Sequence, residues 1–307
     1  MGIESPPHMS SSAERYFPVK RPLEELLFET PRVAIGKFSC HPQDEQFTDS
    51  GPSSTHCFVF PRTSVWIAPA GGSRFLSDPT IVTLYNEGQK YQRTRFSRAG
   101  DQCYWFAVKP GVAKEVATEL GMDISDTQPF SRGFIRAGAD LFVAHHRVLS
   151  LLRQNRSCDA SSVEELVARM LRAILQSDRC GTTTSGNSRR ITSRQLQAVE
   201  DARMLLILWR DRRVRLSDLT ERIGCSTFYL CHAFRLVEGM TMHEYQTQLR
   251  LRAAVQRLVE SPDQTLSELA LDLGFSSHSH FSATFKRSFG RTPSELVSEM
   301  TTGGSEP

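Results

Sequence analysis

The sequence is short of nearly everything that would mark a membrane, secreted or catalytic protein. Its uninterrupted apolar runs end at about six residues, as from Met204 to Trp209, where a membrane-spanning helix needs roughly 18. At the N-terminus, MGIESPPHMSSSAERYFPVKRP sets a proline pair and charges where a secretory leader would carry an apolar segment, so a cytoplasmic protein is expected. The seven cysteines (Cys40, Cys57, Cys103, Cys158, Cys180, Cys225, Cys231) are an odd, scattered set without a C-x-x-C pair. That argues against a disulfide framework or a paired-ligand zinc site and leaves reduced thiols as the reading. G-x-S-x-G, G-x-x-x-x-G-K-[ST] and a helix-opening G-x-G-x-x-G are all missing. Asp101 and Glu87 near His56 are the only acid–base candidates, and no spacing ties them together. No catalytic residue and no cofactor is expected.

What is present fits an ordinary globular chain of about two domains: 307 residues, 39 % hydrophobic and 23 % charged. The net charge of +3 is unevenly spread. From Arg189 to Val297 sixteen Lys and Arg stand against twelve Asp and Glu, a surplus of four, and fifteen of the sixteen bases are arginine. Arginine's planar, weakly hydrated fork suits phosphate and guanine edges better than lysine does, which hints at nucleic acid.

Residues 1–30 read as a partly disordered lead-in that becomes ordered around LEELLFET. From Arg32 to Pro110, short apolar stretches (VAIGKF, HCFVF, SVWIA, TIVTLY, CYWFAVKP) alternate with the turn signals DSGPSS, PAGG, NEGQ and SRAGD, which predicts a small sandwich or barrel. Two amphipathic helices follow. The first carries Leu141, His145, Val148 and Leu152 on one face; the second, capped at Ser161 or Ser162, carries Val163, Leu166, Val167, Met170, Leu171 and Ile174. They either close the open face of the β domain or pair with another subunit. An N-terminal unit of strands and two helices is thus placed at residues 31–179, a Gly/Thr/Ser-rich linker at 180–191, an all-helical unit at 192–300 and a frayed tail at 301–307.

The helical unit contains a degenerate repeat. Leu216, Leu219 and Gly224 recur 50 residues on as Leu266, Leu269 and Gly274; after one inserted residue, Leu230, Phe234 and Gly239 recur as Phe281, Phe285 and Gly290. Each copy is a short helix, a glycine turn and a second helix opened by a serine cap (Ser226 or Ser277), which is a helix-turn-helix layout. The second helix buries Leu230 and Phe234, or Phe281 and Phe285, and turns its other face outward. Between the copies, HEYQTQLRLRAAVQRLV makes one long helix with Tyr245, Leu249 and Leu258 inward and Arg250, Arg252 and Arg257 partly outward.

The run from Arg203 to Leu296 resembles the DNA-binding domain of AraC/XylS-type transcriptional regulators. The most specific piece is ALDLGFSSHSHFSATFKRSFGRTPSEL, with Ala270, Gly274, Phe275, Ser277, Ser279, Phe281, Phe285, Lys286, Phe289, Gly290 and Pro293 in register with the family signature. CFVFPRTSVW, TIVTLYNEGQKYQ and AGDQCYWFAVKP are similar to the cupin-like sensor domains of one branch of that family. The resemblance implies an α+β protein: an N-terminal cupin-like β-barrel with two C-terminal helices used for dimerisation, then an all-α domain of two helix-turn-helix units joined by a long helix. It implies a promoter-binding regulator, more often an activator, acting as a homodimer with double-stranded DNA and RNA polymerase as partners.

Mapped by position, the base-edge candidates are Thr227, Phe228, Cys231 and His232 on the first reading helix and His278, Ser279, Ser282 and Ala283 on the second. Ala283 has no hydrogen-bonding group, but its methyl can pack on a thymine. The phosphate candidates are Arg235, Arg250, Arg252, Lys286, Arg287 and Arg291. His278 and His280 read equally as solvated or hydrogen-bonded side chains, Arg212, Arg213 and Arg215 as a solvated loop, and Cys225 and Cys231 as inert thiols. In the sensor unit His41 and His56 lack the H-x-H arrangement of metal-binding cupins, so no metal is expected. Trp66, Tyr85, Tyr91 and Trp105 are the candidate lining of an effector pocket, or else plain core. Two other functions stay open: an effector-independent architectural DNA-binding protein, and a cupin-type enzyme with an appended helical domain.

Overall fold

The structure is a computed structural model and describes residues 23–44, 47–153, 159–180, 191–260 and 264–302. The lead-in to residue 22, Cys158, residues 181–190 of the expected linker and the tail from residue 303 lie outside the described residues.

The N-terminal half is built of strands β1 (Glu24–Glu29), β2 (Val33–Cys40), β3 (Asp49–Pro52), β4 (His56–Pro61), β5 (Val65–Pro69), β6 (Phe75–Ser77), β7 (Ile81–Tyr85), β8 (Lys90–Arg95), β9 (Asp101–Val108) and β10 (Phe134–Arg136). They form two antiparallel sheets, ordered β1-β2-β9-β4-β7-β10 and β3-β8-β5-β6. Alternation along β9 explains why almost every residue of DQCYWFAV is buried. Cys103, Trp105 and Ala107 point to the core between the sheets, with Val65 and Ile67 of the smaller sheet opposite. Tyr104, Phe106 and Val108 point the other way, into a core closed by helices. Gly36, paired with Trp105, is required here: a Cβ on it would stand 2.1 Å from the indole ring.

The expected cupin-like β-barrel is corrected to this two-sheet stack. No ladder joins the sheets among the described residues, and β1 and β10 of one sheet and β3 and β6 of the other remain edges. Closure would need long strands shared by both sheets, but β3 and β6 have only 4 and 3 residues.

Helices α1 (Pro110–Glu119), α2 (Ala139–Arg153) and α3 (Ala160–Cys180) cover the outer face of the larger sheet. The α3 stripe Val163, Val167, Met170, Leu171 and Ile174 is buried there. The α3 stripe thus closes the face of the chain's own sheet.

The C-terminal half consists of α4 (Ser193–Leu208), α5 (Leu216–Ile223), α6 (Thr227–Glu238), α7 (Met242–Glu260), α8 (Leu266–Asp272), α9 (His278–Phe289) and α10 (Pro293–Thr302). A capping box of Thr192 and Gln195 opens α4. Two cores form, one from α4 to α6 with the first half of α7, the other from the second half of α7 to α10. The turn at Gly274 (φ +75°) binds them, because a Cβ there would stand 2.6 Å from the Asp211 carbonyl oxygen at the foot of the first unit. Phe142 of α2 packs into the second core, so the N-terminal half and the helical half share a buried junction.

Candidate nucleic-acid interface

Each reading helix is set by local chemistry. At the start of α6, Ser226 Oγ accepts the Tyr229 N–H at 3.2 Å; at the start of α9, Ser277 Oγ accepts the His280 N–H at 3.1 Å. Gly239 and Gly290, both left-handed, end the two helices. One face of α6 buries Leu230, Ala233 and Phe234, and one face of α9 buries Phe281, Thr284, Phe285 and Phe289. The opposite faces are open. Thr227, Phe228, Cys231, His232 and Arg235 are exposed on α6; His278, Ser279, Ala283, Lys286 and Arg287 are exposed on α9, and Ser282 is half-buried. Phe228 is 83 % exposed, a costly position for a phenyl ring, and among the described residues the ring it meets is His232, 6.4 Å away between centroids.

On α9, His278 Nε2 lies 3.3 Å from Ser282 Oγ and His280 Nδ1 lies 3.0 Å from Ser276 Oγ. His278 therefore stands over the open face, while His280 braces the cap. Cys225 is half-buried and burial pushes its thiol up, against any thiol switch there. The N-termini of both helices carry the positive end of the helix dipole, which favours phosphate.

The phosphate candidates divide. Arg235, Lys286 and Arg287 are exposed beside the reading faces, and Arg291 is half-buried in an ion pair with Glu299. Arg250 and Arg252 are corrected: both are buried. Arg250 Nε and Nη2 each donate at 2.8 Å, to the carbonyls of Arg210 and Arg212, and so tie α7 to the end of α4. Arg252 donates to the Ala137 carbonyl and lies 4.5 Å from the centre of the Phe142 ring; burial lowers it to about 10. Arg257 is in an ion pair with Asp272 at 3.0 Å. Arg212, Arg213 and Arg215 are exposed, with Arg212 resting 4.0 Å over the Trp209 ring.

In the N-terminal half a cavity of about 500 Å³ lies between the two sheets. Tyr85, Tyr91 and Trp105 line it, and the Trp105 indole N–H finds no acceptor among the described residues. Trp66 is corrected: it lies away from this cavity, under the Arg74 guanidinium at 4.5 Å. Asp101 forms a buried 3.0 Å ion pair with Arg93 in the cavity wall rather than meeting His56. His56 is held neutral by burial, its Nδ1 accepting the Glu87 N–H and its Nε2 donating to the Asp126 carbonyl, both at 3.0 Å. His41 Nδ1 accepts the Gln43 N–H at 3.3 Å on the surface. Asp101 and His56 thus have separate structural partners, and Glu87 meets His56 through its main-chain N–H.

Sequence reasoning missed one polar cluster: Asp78, Arg203, Tyr245, Glu238 and Arg136, at the seam between the two halves. Its signal was present in α4, where Arg203 falls on the same face as the buried Val199, Ala202 and Leu206.

Two capped reading helices on one body, joined by a 19-residue helix, define a DNA-binding protein of the double helix-turn-helix class. Residues 219–299 match the family described as Helix-turn-helix domain. The regulatory protein SoxS of Salmonella typhimurium strain LT2 is 35 % identical over 94 residues, covering 29 % of this chain and 87 % of SoxS. The HTH-type transcriptional activator RhaR of Enterobacter sp. strain 638 is 36 % identical over 83 residues, 27 % of this chain and 29 % of RhaR. A solved structure of ToxT from Vibrio cholerae strain SCE256, with unsaturated fatty acid bound, aligns with 91 % of this chain and 99 % of ToxT at 15 % identity and a TM-score of 0.38. The chain belongs to the AraC/XylS family of DNA-binding transcriptional regulators, and its class is a transcription factor, not an enzyme. No helix among the described residues is long and apolar enough to cross a membrane.

Proposed function

We propose that this regulator reads promoter DNA in two successive major grooves, with α6 in one and α9 in the next. One observation carries the reading: in both units the face left open by core packing is the face bearing the base-edge candidates. The connector α7 has 19 residues and is therefore about 28 Å long, comparable to the roughly 34 Å between successive major grooves. Base edges fall to Thr227, Phe228, Cys231 and His232 and to His278, Ser279, Ser282 and Ala283; phosphates fall to Arg235, Lys286, Arg287 and Arg291. Activation is the expected sign, since the relative RhaR is named a transcriptional activator; the expected partner in that step is RNA polymerase and the expected place the cytoplasm. The cavity between the sheets is large enough for a small organic effector, with Tyr85, Tyr91 and Trp105 in its wall. A homodimer on paired half-sites would form through surfaces other than the buried α3 stripe.

The test is binding of the full chain to a randomised pool of duplexes. Arg287→Ala should weaken binding by a similar factor on every sequence and lower the salt slope by about 1. His232→Ala should change the preference at one base pair, by about 1–3 kcal/mol of discrimination. A His232→Ala protein with unaltered preference would contradict the assignment of α6.

A further inference from the structure

The seam between the sensor half and the first helix-turn-helix unit contains a buried ionic cluster with no part in holding DNA. Asp78 is fully buried, at 0 % exposure. Its two carboxylate oxygens serve different halves of the molecule. Oδ1 accepts the Thr80 N–H at 2.7 Å and the Thr80 hydroxyl at 2.6 Å, closing the turn from β6 to β7. Oδ2 accepts Arg203 Nη2 of α4 at 2.5 Å and the Tyr245 hydroxyl of α7 at 2.8 Å. Arg203 also donates to the Leu76 carbonyl at 2.9 Å and faces Glu238, the last residue of α6, at 3.8 Å; Glu238 in turn pairs with Arg136 of β10.

Burial alone would push the Asp78 carboxyl up. The Arg203 guanidinium and the hydrogen bonds from Thr80 and Arg203 more than offset this and hold it below its ordinary value. A buried charge so paired cannot lose one partner cheaply, because the other is left without solvation.

The position of Asp78 in the topology matters as much as its bonds. β6 is the 3-residue edge of the smaller sheet and β7 belongs to the larger one. The Asp78–Thr80 turn is therefore where the chain crosses between the two sheets that enclose the cavity. The neighbouring Ser77 and, across the turn, Thr83 line that cavity and share a 3.0 Å hydrogen bond. A change in the spacing of the sheets must move this turn.

We propose that Asp78 is the coupling residue of this regulator: separation of the two sheets around an occupied cavity withdraws its carboxylate from Arg203 and Tyr245 and releases the first helix-turn-helix unit. This rests on the reading of the cavity as an effector site and adds how occupancy would reach DNA. The second unit stays held, because α2 seats Phe142 in its core and Arg252 binds the Ala137 carbonyl. Tyr245 and Arg252 are seven residues apart, so one face of α7 meets the sensor half at both points. Releasing only the first point changes the angle between α6 and α9, and with it the fit to two grooves.

Coupling is reciprocal, so it is measurable without knowing the effector. Cys103 lines the cavity and is buried; its alkylation by N-ethylmaleimide, located by peptide mapping, reports opening, and hydrogen exchange in α9 of the second unit is the control. In the full-length protein, Tyr245→Phe alters only the DNA-binding half and keeps the ring. It should speed alkylation of Cys103 at least 3-fold, and raise hydrogen exchange in α4 and α6 but not in α9. Asp78→Asn should do the same more strongly, at least 10-fold at Cys103. Faster exchange in α4 and α6 with Cys103 unaffected would overturn the coupling, as would equal acceleration in α9, which is plain destabilisation. Neither result depends on a ligand, so a failure here is separate from a failure to find an effector.

Discussion

Among the described residues four arginines are buried, Arg93, Arg203, Arg250 and Arg252, and each has an oxygen partner in a different part of the fold. Arg93 and Arg203 face carboxylates, of Asp101 and Asp78; Arg250 and Arg252 face main-chain carbonyls. The distinction decides what each does. A guanidinium holding two carbonyls at a helix end is a structural clip, and hydrogen bonds from a charged donor contribute about 1.5–3 kcal/mol each. Arg250→Met should therefore lower the melting temperature while leaving the salt slope of DNA binding as it is, measured by thermal denaturation and by anisotropy titration at several salt concentrations. A slope reduced by about 1 with unchanged stability would return Arg250 to the phosphate contacts.

Element by element, the sequence was informative wherever the determinant is local. The two reading helices begin at Ser226 and Ser277 and end at Gly239 and Gly290 because a cap hydroxyl and a left-handed residue act within a few positions. Base-edge candidates were legible for the same reason: a buried i, i+4 stripe fixes which residues lie opposite it. The runs VAIGKF, HCFVF, VWIA, IVTLY and CYWFAV became strands, but β3, β6 and β10 are too short or too polar to stand out. The closure of the sheets and the partner of α3 were not legible, since an apolar stripe says that a face is buried and not against what. Helix α1 was overlooked although Val112, Ala113, Val116 and Ala117 sit at helical spacing behind a proline. Arg250 and Arg252 were placed outward by residue type, and only tertiary carbonyls at Arg210, Arg212 and Ala137 brought them in.

At the scale of the molecule, α2 is the hub. His145 stacks on Phe60 of the larger sheet at 4.0 Å, and both His145 and His146 meet Phe142, which reaches Phe289 of α9. Burial, first of all, lowers both imidazoles; the cations Arg153, Arg62 and Arg252 add to this and take His146 to about 3. A histidine whose folded value is depressed contributes stability that is whole above about pH 6.5 and lost as the pH falls, because the opened state takes up the proton first. Stability should drop by about 1.4 kcal/mol per pH unit for each of the two below pH 6.5, seen in denaturant unfolding at pH 7.5 and 5. His146→Leu should remove about 1.4 kcal/mol per pH unit of that slope; an unchanged slope would mean that His146 titrates freely. The claim on which the functional account stands is that α6 and α9 enter neighbouring grooves together. Hydroxyl-radical footprinting of the full chain on a selected promoter site tests it most directly. Two protected patches on one face of the duplex, centred about 10.5 base pairs apart, are expected. A single patch of half that extent, or protection all around the helix, would contradict it.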